Sequence, residues 1–192
     1  MNIINIDEHP RKAIDEAKKI FFEGKIFVYP TDTIYGLGGN PFNNLVVERI
    51  NKIKNRDESK KFILLVGDLE ILKKYAEIKN ESHFDFLLKI WPNPISIILK
   101  LNQTTSQLLN SSDAAFRIPN NNFCQKLLKE IKMPLISTSV NRAEEPPIHD
   151  YAMITQEFND EIDTFFYTNK KFYSTSSTII DLKDSYPKLI RE

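Results

Sequence analysis

Apolar and polar positions change period repeatedly along the chain, and the changes predict alternating helices and strands. After Asp7-Glu8-His9-Pro10, apolar residues recur at Ala13, Ile14, Ala17, Ile20 and Phe21, one face of a helix, and Gly24 closes it. The unbroken apolar run Ile26-Phe27-Val28 predicts a short buried strand over 26–29, followed by a glycine loop. Further strands are predicted over 62–66, 95–99, 114–118 and 135–139, and helices over 45–53, 69–75, 84–90 and 121–131. Trp91-Pro92-Asn93-Pro94 reads as a rigid turn, because two prolines flank one residue. From Tyr151 the pattern gives one helix and then short strands at 164–167, 178–181 and 188–191. There is no internal repeat, low-complexity tract or Gly/Ser linker. Interleaved strands and helices predict an α/β fold with a mixed sheet, in one domain over 1–192.

Composition narrows the function. A chain of 192 residues, 41% hydrophobic and 27% charged, suits one soluble domain with a proper core. The formal net charge is zero, which excludes a global field that would draw nucleic acid or a membrane surface. No apolar run approaches a membrane span and the N-terminus has no signal-peptide pattern, so the expected location is the cytoplasm. The single cysteine, Cys124, excludes an internal disulfide and a cysteine-cluster metal site. His9, His83 and His149 lie far apart without ligand spacing, so no protein metal site is expected. Only six of the 26 basic residues are arginine. In such a chain an arginine stands out as a group for planar, bidentate recognition of carboxylate or phosphate.

The richest chemistry lies in Pro30-Thr31-Asp32-Thr33-Ile34-Tyr35-Gly36-Leu37-Gly38-Gly39, which leaves the end of a buried strand. Three of the chain's five glycines fall here, marking close approach of the backbone to something else. A hydroxyl-rich loop at a strand end is where open α/β sheets place ligands. Lys54 and Arg56, with Lys60 and Lys61 close behind, put several cations at a helix exit. Arg117 sits in the apolar run Ala114-Ala115-Phe116-Arg117-Ile118-Pro119, where a charge is costly unless it faces a partner or ligand. Ser137-Thr138-Ser139-Val140-Asn141 ends another buried strand in hydroxyls and an amide. Ser176-Ser177-Thr178 and Arg191 complete the set. No Ser-His-Asp order, paired carboxylates, Cys-His pair or P-loop spacing occurs. Many donors and cations without a base or nucleophile describe a site that binds an anion and orients it, as phosphoryl and nucleotidyl transfer require.

These motifs resemble, in order, those of the YrdC/TsaC family, the threonylcarbamoyl-AMP synthases. The family's opening Pro-Thr-Asp-Thr-x-Tyr-Gly-Leu matches Pro30 to Leu37, its Lys-x-Arg matches Lys54 and Arg56, and a further basic position falls on Lys60. Its Arg-x-Pro matches Arg117 to Pro119, its Ser-Thr-Ser-x-Asn matches Ser137 to Asn141, and its later Ser-Thr falls on Ser177-Thr178. The terminal Leu/Ile-Arg falls on Ile190-Arg191. Four departures accompany the match. The family's Pro-Gly-Pro-x-Thr turn reads Pro92-Asn93-Pro94-Ile95-Ser96, and Asp57 stands where proline follows Arg56. Arg142-Ala143-Glu144 replaces the Leu-Ser-Gly after Asn141, and Glu192 replaces the glycine after Arg191.

The resemblance implies a YrdC-like single domain, a twisted mixed sheet flanked by helices with a concave ligand face. It implies that L-threonine, bicarbonate and ATP are joined into threonylcarbamoyl-AMP and pyrophosphate, toward threonylcarbamoyladenosine in tRNA. On this basis Lys54 and Arg56 are expected to be catalytic and, with Lys60, Ser139, Asn141 and Arg191, to hold ATP. Thr33, Tyr35, Arg117, Ser137 and Ser177 are expected to hold threonine. Mg²⁺ would ride on the ATP phosphates, with no prosthetic group and no metal ligands from the chain. Implied partners are the downstream threonylcarbamoyl-transferase machinery and weak tRNA or double-stranded RNA contact, with no membrane. The alternative is a YciO-type paralogue that binds nucleotide or RNA with little synthase activity.

Overall fold

Asparagine and aspartate start most of the helices, as their side chains can replace the missing backbone acceptors of a first turn. The first helix, α1 (Pro10–Phe22), opens instead on its proline. The next six, α2 (Asn44–Lys54), α3 (Leu69–Leu72), α4 (Glu81–Ile90), α5 (Gln103–Leu109), α6 (Asn122–Ile131) and α7 (Tyr151–Phe158), each have an Asn or Asp side chain accepting from a first-turn N–H. These features come from a computed structural model that describes residues 1–57, 60–170, 175–184 and 186–192.

The strands are β1 (Asn2–Asn5), β2 (Phe27–Tyr29), β3 (Gly36–Gly38), β4 (Ile63–Leu65) and β5 (Ile95–Lys100), followed by β6 (Asp113–Arg117), β7 (Leu135–Ser139), β8 (Thr164–Tyr167), β9 (Thr178–Asp181) and β10 (Lys188–Arg191). They form one mixed sheet in the order β1-β8-β2-β3-β7-β4-β6-β5-β9-β10. Four neighbouring pairs, β1/β8, β2/β8, β4/β6 and β5/β9, run parallel, and the rest are antiparallel. Alternation along the strands separates two cores. Phe27, Tyr29, Leu65, Leu135 and Phe166 meet α1 and α6 on one face, while Val28, Leu37, Leu64, Ile136 and Phe165 meet α2, α4 and α7 on the other. The predicted α/β class and mixed sheet hold.

Three elements were not expected. β1 is a half-exposed edge strand and α5 is polar, burying only Thr105. The glycine loop is itself partly a strand, β3, at the centre of the sheet. Its glycines are needed for close approach, but the near neighbours are the protein's own. The fully buried Tyr29 ring lies across β3, and its hydroxyl donates to the Ile136 carbonyl at 2.8 Å. A Cβ on Gly36 would sit 3.0 Å from Tyr29 Cζ and 3.1 Å from Ser137 Oγ. One on Gly38 would collide with the backbone oxygen of Ile136. Gly38→Ala is therefore expected to cost about 3 kcal/mol or more, because relief requires the β3–β7 ladder to part. Urea unfolding measures this, and an unchanged midpoint would contradict the packing.

Candidate active site

β7 sits between two differently placed partners. Its first half, Leu135 to Ser137, pairs with β4, and its end, Thr138 and Ser139, pairs with β3. The ends of β3, β6, β7, β9 and β10 thereby surround a cavity of about 240 Å³. Eight of the eleven expected site residues line it: Thr33, Tyr35, Arg56, Arg117, Ser137, Ser139, Ser177 and Arg191. Ser176, Lys61 and Thr138 join them. Larger hollows of about 420 and 540 Å³ open elsewhere, and neither has an arginine among the described residues of its wall. The smaller cavity gathers the expected residues.

Arg117 ends β6 and is 2% exposed. Its Nη1 donates to Thr33 Oγ1 at 3.0 Å, and its Nη2 lies 3.5 Å from Asp32 Oδ1. Thr31 Oγ1 sends its proton to the Ile34 carbonyl, so in the 2.9 Å contact between the two threonines Thr33 is the donor. Thr33 thus accepts from Arg117 and is locked from behind. The Asp32–Arg117 contact is too long for a hydrogen bond, and both Asp32 Oδ1 and Arg117 Nε remain buried without a hydrogen-bond partner. Unmet capacity of this kind is costly in a closed interior.

Arg56 leaves the end of α2, where Asn55 adopts the left-handed conformation that turns the chain. Its Nη1 donates to Thr138 Oγ1 at 3.3 Å and its Nη2 to the Lys61 carbonyl at 2.5 Å, while its guanidinium lies over the Phe62 ring at 4.9 Å. Its Nε has no hydrogen-bond partner, and burial lowers its pKa. Both guanidinium groups are thus held through their Nη atoms, with Nε buried and unpartnered, and bring two cations to the wall of one cavity.

The hydroxyls are fixed as well. Ser177 Oγ contacts Ser96 Oγ at 2.9 Å, and Arg191 Nη2 donates to the Ser177 carbonyl at 2.7 Å. Tyr35 stands edge-on to Phe165, its oxygen accepts from the Thr168 N–H at 3.3 Å, and burial raises its pKa. Ser139 Oγ donates to Asn141 Oδ1 at 2.6 Å.

Lys54, Lys60 and Asn141 do not line the cavity. Lys54, 3% exposed, points back into the protein and donates to Ser139 O at 2.6 Å, Asn141 O at 3.0 Å and Asn141 Oδ1 at 2.7 Å. Three protons meet three acceptors, so Lys54 ties the end of α2 to the exit of β7. Lys60 pairs with Glu144 at 3.2 Å on the surface. Sequence reasoning placed Thr138 and Lys61 in its polar clusters without giving either a role, and it missed the contact of Ser96 with Ser177 and the largely buried side chain of Asp32. Of these, Ser96 carried a signal, as a polar residue between Ile95 and Ile97.

The family model described as "Telomere recombination", Sua5/YciO/YrdC, matches residues 19–192. The chain belongs to this family. A threonylcarbamoyl-AMP synthase from Idiomarina loihiensis is 32% identical over 153 residues, which are 77% of this chain and 82% of the relative. The crystal structure of P. abyssi Sua5 complexed with L-threonine superposes with a TM-score of 0.88 at 26% identity, covering all of this chain but 57% of that one. The family chain thus spans a little over half of that larger protein. E. coli YciO superposes with a TM-score of 0.88 at 26% identity, covering 100% of this chain and 94% of that one. Among the described residues, no helix is long and apolar enough to cross a membrane.

Burial, and then the charges of Arg56 and Arg142, hold the Lys54 pKa down to about 8. A bound polyanion favours the ammonium and raises that pKa, so ATP affinity should fall as pH rises through 8, by up to roughly tenfold per unit. The stability of the unliganded fold should move oppositely. Folding disfavours the charged form, and that penalty is relieved between about pH 8 and the ordinary lysine value of 10.5. Calorimetric titration with ATP and urea unfolding at pH 7.5 and 9, compared with Lys54→Met, isolates the effect. Identical pH profiles in the two proteins would contradict it.

Proposed function

We propose that this protein makes threonylcarbamoyl-AMP and pyrophosphate from L-threonine, bicarbonate and ATP. The observation that carries the reading is the pair of buried guanidinium groups, Arg56 and Arg117, each with an unpartnered Nε, in a cavity walled by hydroxyls. Support also comes from the relatives, one named as that synthase and one complexed with L-threonine.

In this mechanism Arg117 holds the amino-acid carboxylate, and Thr33, Tyr35, Ser137 and Ser177 surround the rest of threonine. The threonine nitrogen bonds to the carbon of bicarbonate, water leaves, and a carbamate results. A carbamate oxygen then forms a bond to the α-phosphorus of ATP while the bond to the β-phosphate oxygen breaks, releasing pyrophosphate. Both reactants are anions, so bringing them together is the main barrier that positioning and cationic groups can lower. Arg56 is the cation that touches the phosphates, with Ser139 and Arg191 beside it. Lys54 and Asn141 hold that strand end in shape, and Lys60 lies at the rim. A cavity of about 240 Å³ suits threonine and its carbamate, leaving the nucleoside across the mouth. Among the described residues its wall includes no carboxylate, so Mg²⁺ would enter as the magnesium complex of ATP, held by the phosphates.

The product is a reactive mixed anhydride destined for a transferase that acts on tRNA. The basic segment around residues 52–61 gives limited support to direct RNA binding, since Lys54 is turned inward, Lys60 pairs with Glu144 and Lys61 with Asp113. Coverage of nearly all of YciO favours a second reading as a nucleotide-binding paralogue with little synthase activity.

Pyrophosphate release separates the two readings. The synthase releases it from ATP and bicarbonate only when threonine is added, and Arg56→Ala lowers the rate by roughly 10²–10³ with the fold intact. ATP binding without threonine-dependent release would leave only the paralogue.

A further inference from the structure

Arg142 stands outside the cavity, in the stretch where this chain departs from the family motif, and no step of the proposed reaction uses it. Its side chain is nevertheless the most heavily engaged of the arginines. It makes a bidentate pair with Glu161, Nη1 to Oε2 at 3.1 Å and Nη2 to Oε1 at 2.5 Å, and Nε lies 3.3 Å from Glu157 Oε1. The guanidinium lies 4.5 Å from the centre of the Phe158 ring, and Nη1 also donates to the Ile53 carbonyl. That carbonyl belongs to the last turn of α2, where a cation also meets the negative end of the helix dipole.

The next residue repeats the connection. Ala143 N donates to the Lys54 carbonyl at 2.6 Å, while Lys54 Nζ reaches back to Ser139 O and Asn141 O. The exit of β7 and the end of α2 therefore grip one another in both directions. Arg142 is the link that fastens this grip to α7 and the residues just after it. Two residues beyond Lys54, Arg56 enters the cavity and meets Thr138 on β7. The relative placement of Arg56 and Ser139 depends on the grip, whereas Arg117 and Thr33 are held separately by Asp32 and Thr31.

We infer that Arg142, held by Glu161, is a positioning residue for the phosphate half of the site and not for the amino-acid half. This rests on the proposed reading of the cavity. The pair is partly exposed, with side-chain accessibilities of 24% and 38%, so its loss should loosen the grip without unfolding the domain.

The experiment is calorimetric titration of the full chain with pyrophosphate and, separately, with L-threonine. Arg142→Ala should weaken pyrophosphate binding roughly 2- to 30-fold and leave threonine binding within about twofold. Glu161→Gln, the milder change, should shift pyrophosphate affinity in the same direction. The double variant should be no weaker than Arg142→Ala, because the Glu161 carboxylate acts through Arg142. Unchanged pyrophosphate affinity in Arg142→Ala overturns the inference, as does an equal weakening of both ligands, the mark of a general loss of structure. A wild type that binds pyrophosphate but makes no threonine-dependent product would overturn the synthase reading and leave this inference standing. A wild type that binds no pyrophosphate overturns both.

Discussion

A buried ammonium group organises the anion-facing side of this molecule. Lys54 gives all three of its protons to oxygens at the exit of β7, and no carboxylate neutralises it there. Burying an uncompensated charge is expensive, which is why its pKa falls to about 8. The arrangement fixes the backbone from which Ser139 projects and the helix end from which Arg56 projects. It also keeps a positive charge behind the cavity wall. Under the proposed reading a polyanionic ligand would supply the missing negative charge, and the cost of the unliganded state would become affinity in the liganded one.

The sheet makes that arrangement possible. β7 lies between β3 and β4, laddered to β4 through Leu135–Ser137 and to β3 through Thr138 and Ser139, and its polar end lines the cavity. Tyr29 crosses the glycine strand and bonds to Ile136, fixing β3 against β7 at the short distance that only glycine allows. Arg117 and Arg56 consequently come from different supports. Arg117 is braced by Asp32 and Thr33 from the β2–β3 connection, and Arg56 by Thr138 and the Lys61 backbone. Two independently braced cations facing one cavity suit a reaction that must bring two anions together.

Much of this was legible in the sequence. α2 after Asn43 and α6 after Asn121 were readable to within a residue, whereas α3 ends three residues before the predicted Tyr75 and α4 starts three residues before the predicted Phe84. β3 was not readable, because glycines give no apolar pattern and read as a loop. β1 and α5 were missed because an edge strand and a polar helix bury too little to show a period. The motifs gathered eight of the eleven expected residues into one cavity. What sequence did not reveal was direction. A lysine two positions before an arginine looks equally available to phosphate, yet Lys54 sits in the last helical turn and points inward, while Arg56 lies beyond the left-handed Asn55 and lines the cavity. The Arg142-Ala143-Glu144 departure was visible as a replacement of Leu-Ser-Gly, but the contacts of Arg142 with Glu157, Glu161 and Phe158 depend on packing across the chain.

The most direct measurement is identification of the product. Purified protein incubated with ATP, L-threonine and isotopically labelled bicarbonate should yield one labelled compound that contains both threonine and AMP, formed in step with pyrophosphate. Release of ADP and phosphate instead, or an absence of label in any threonine-containing adenylate, would contradict the proposed reaction.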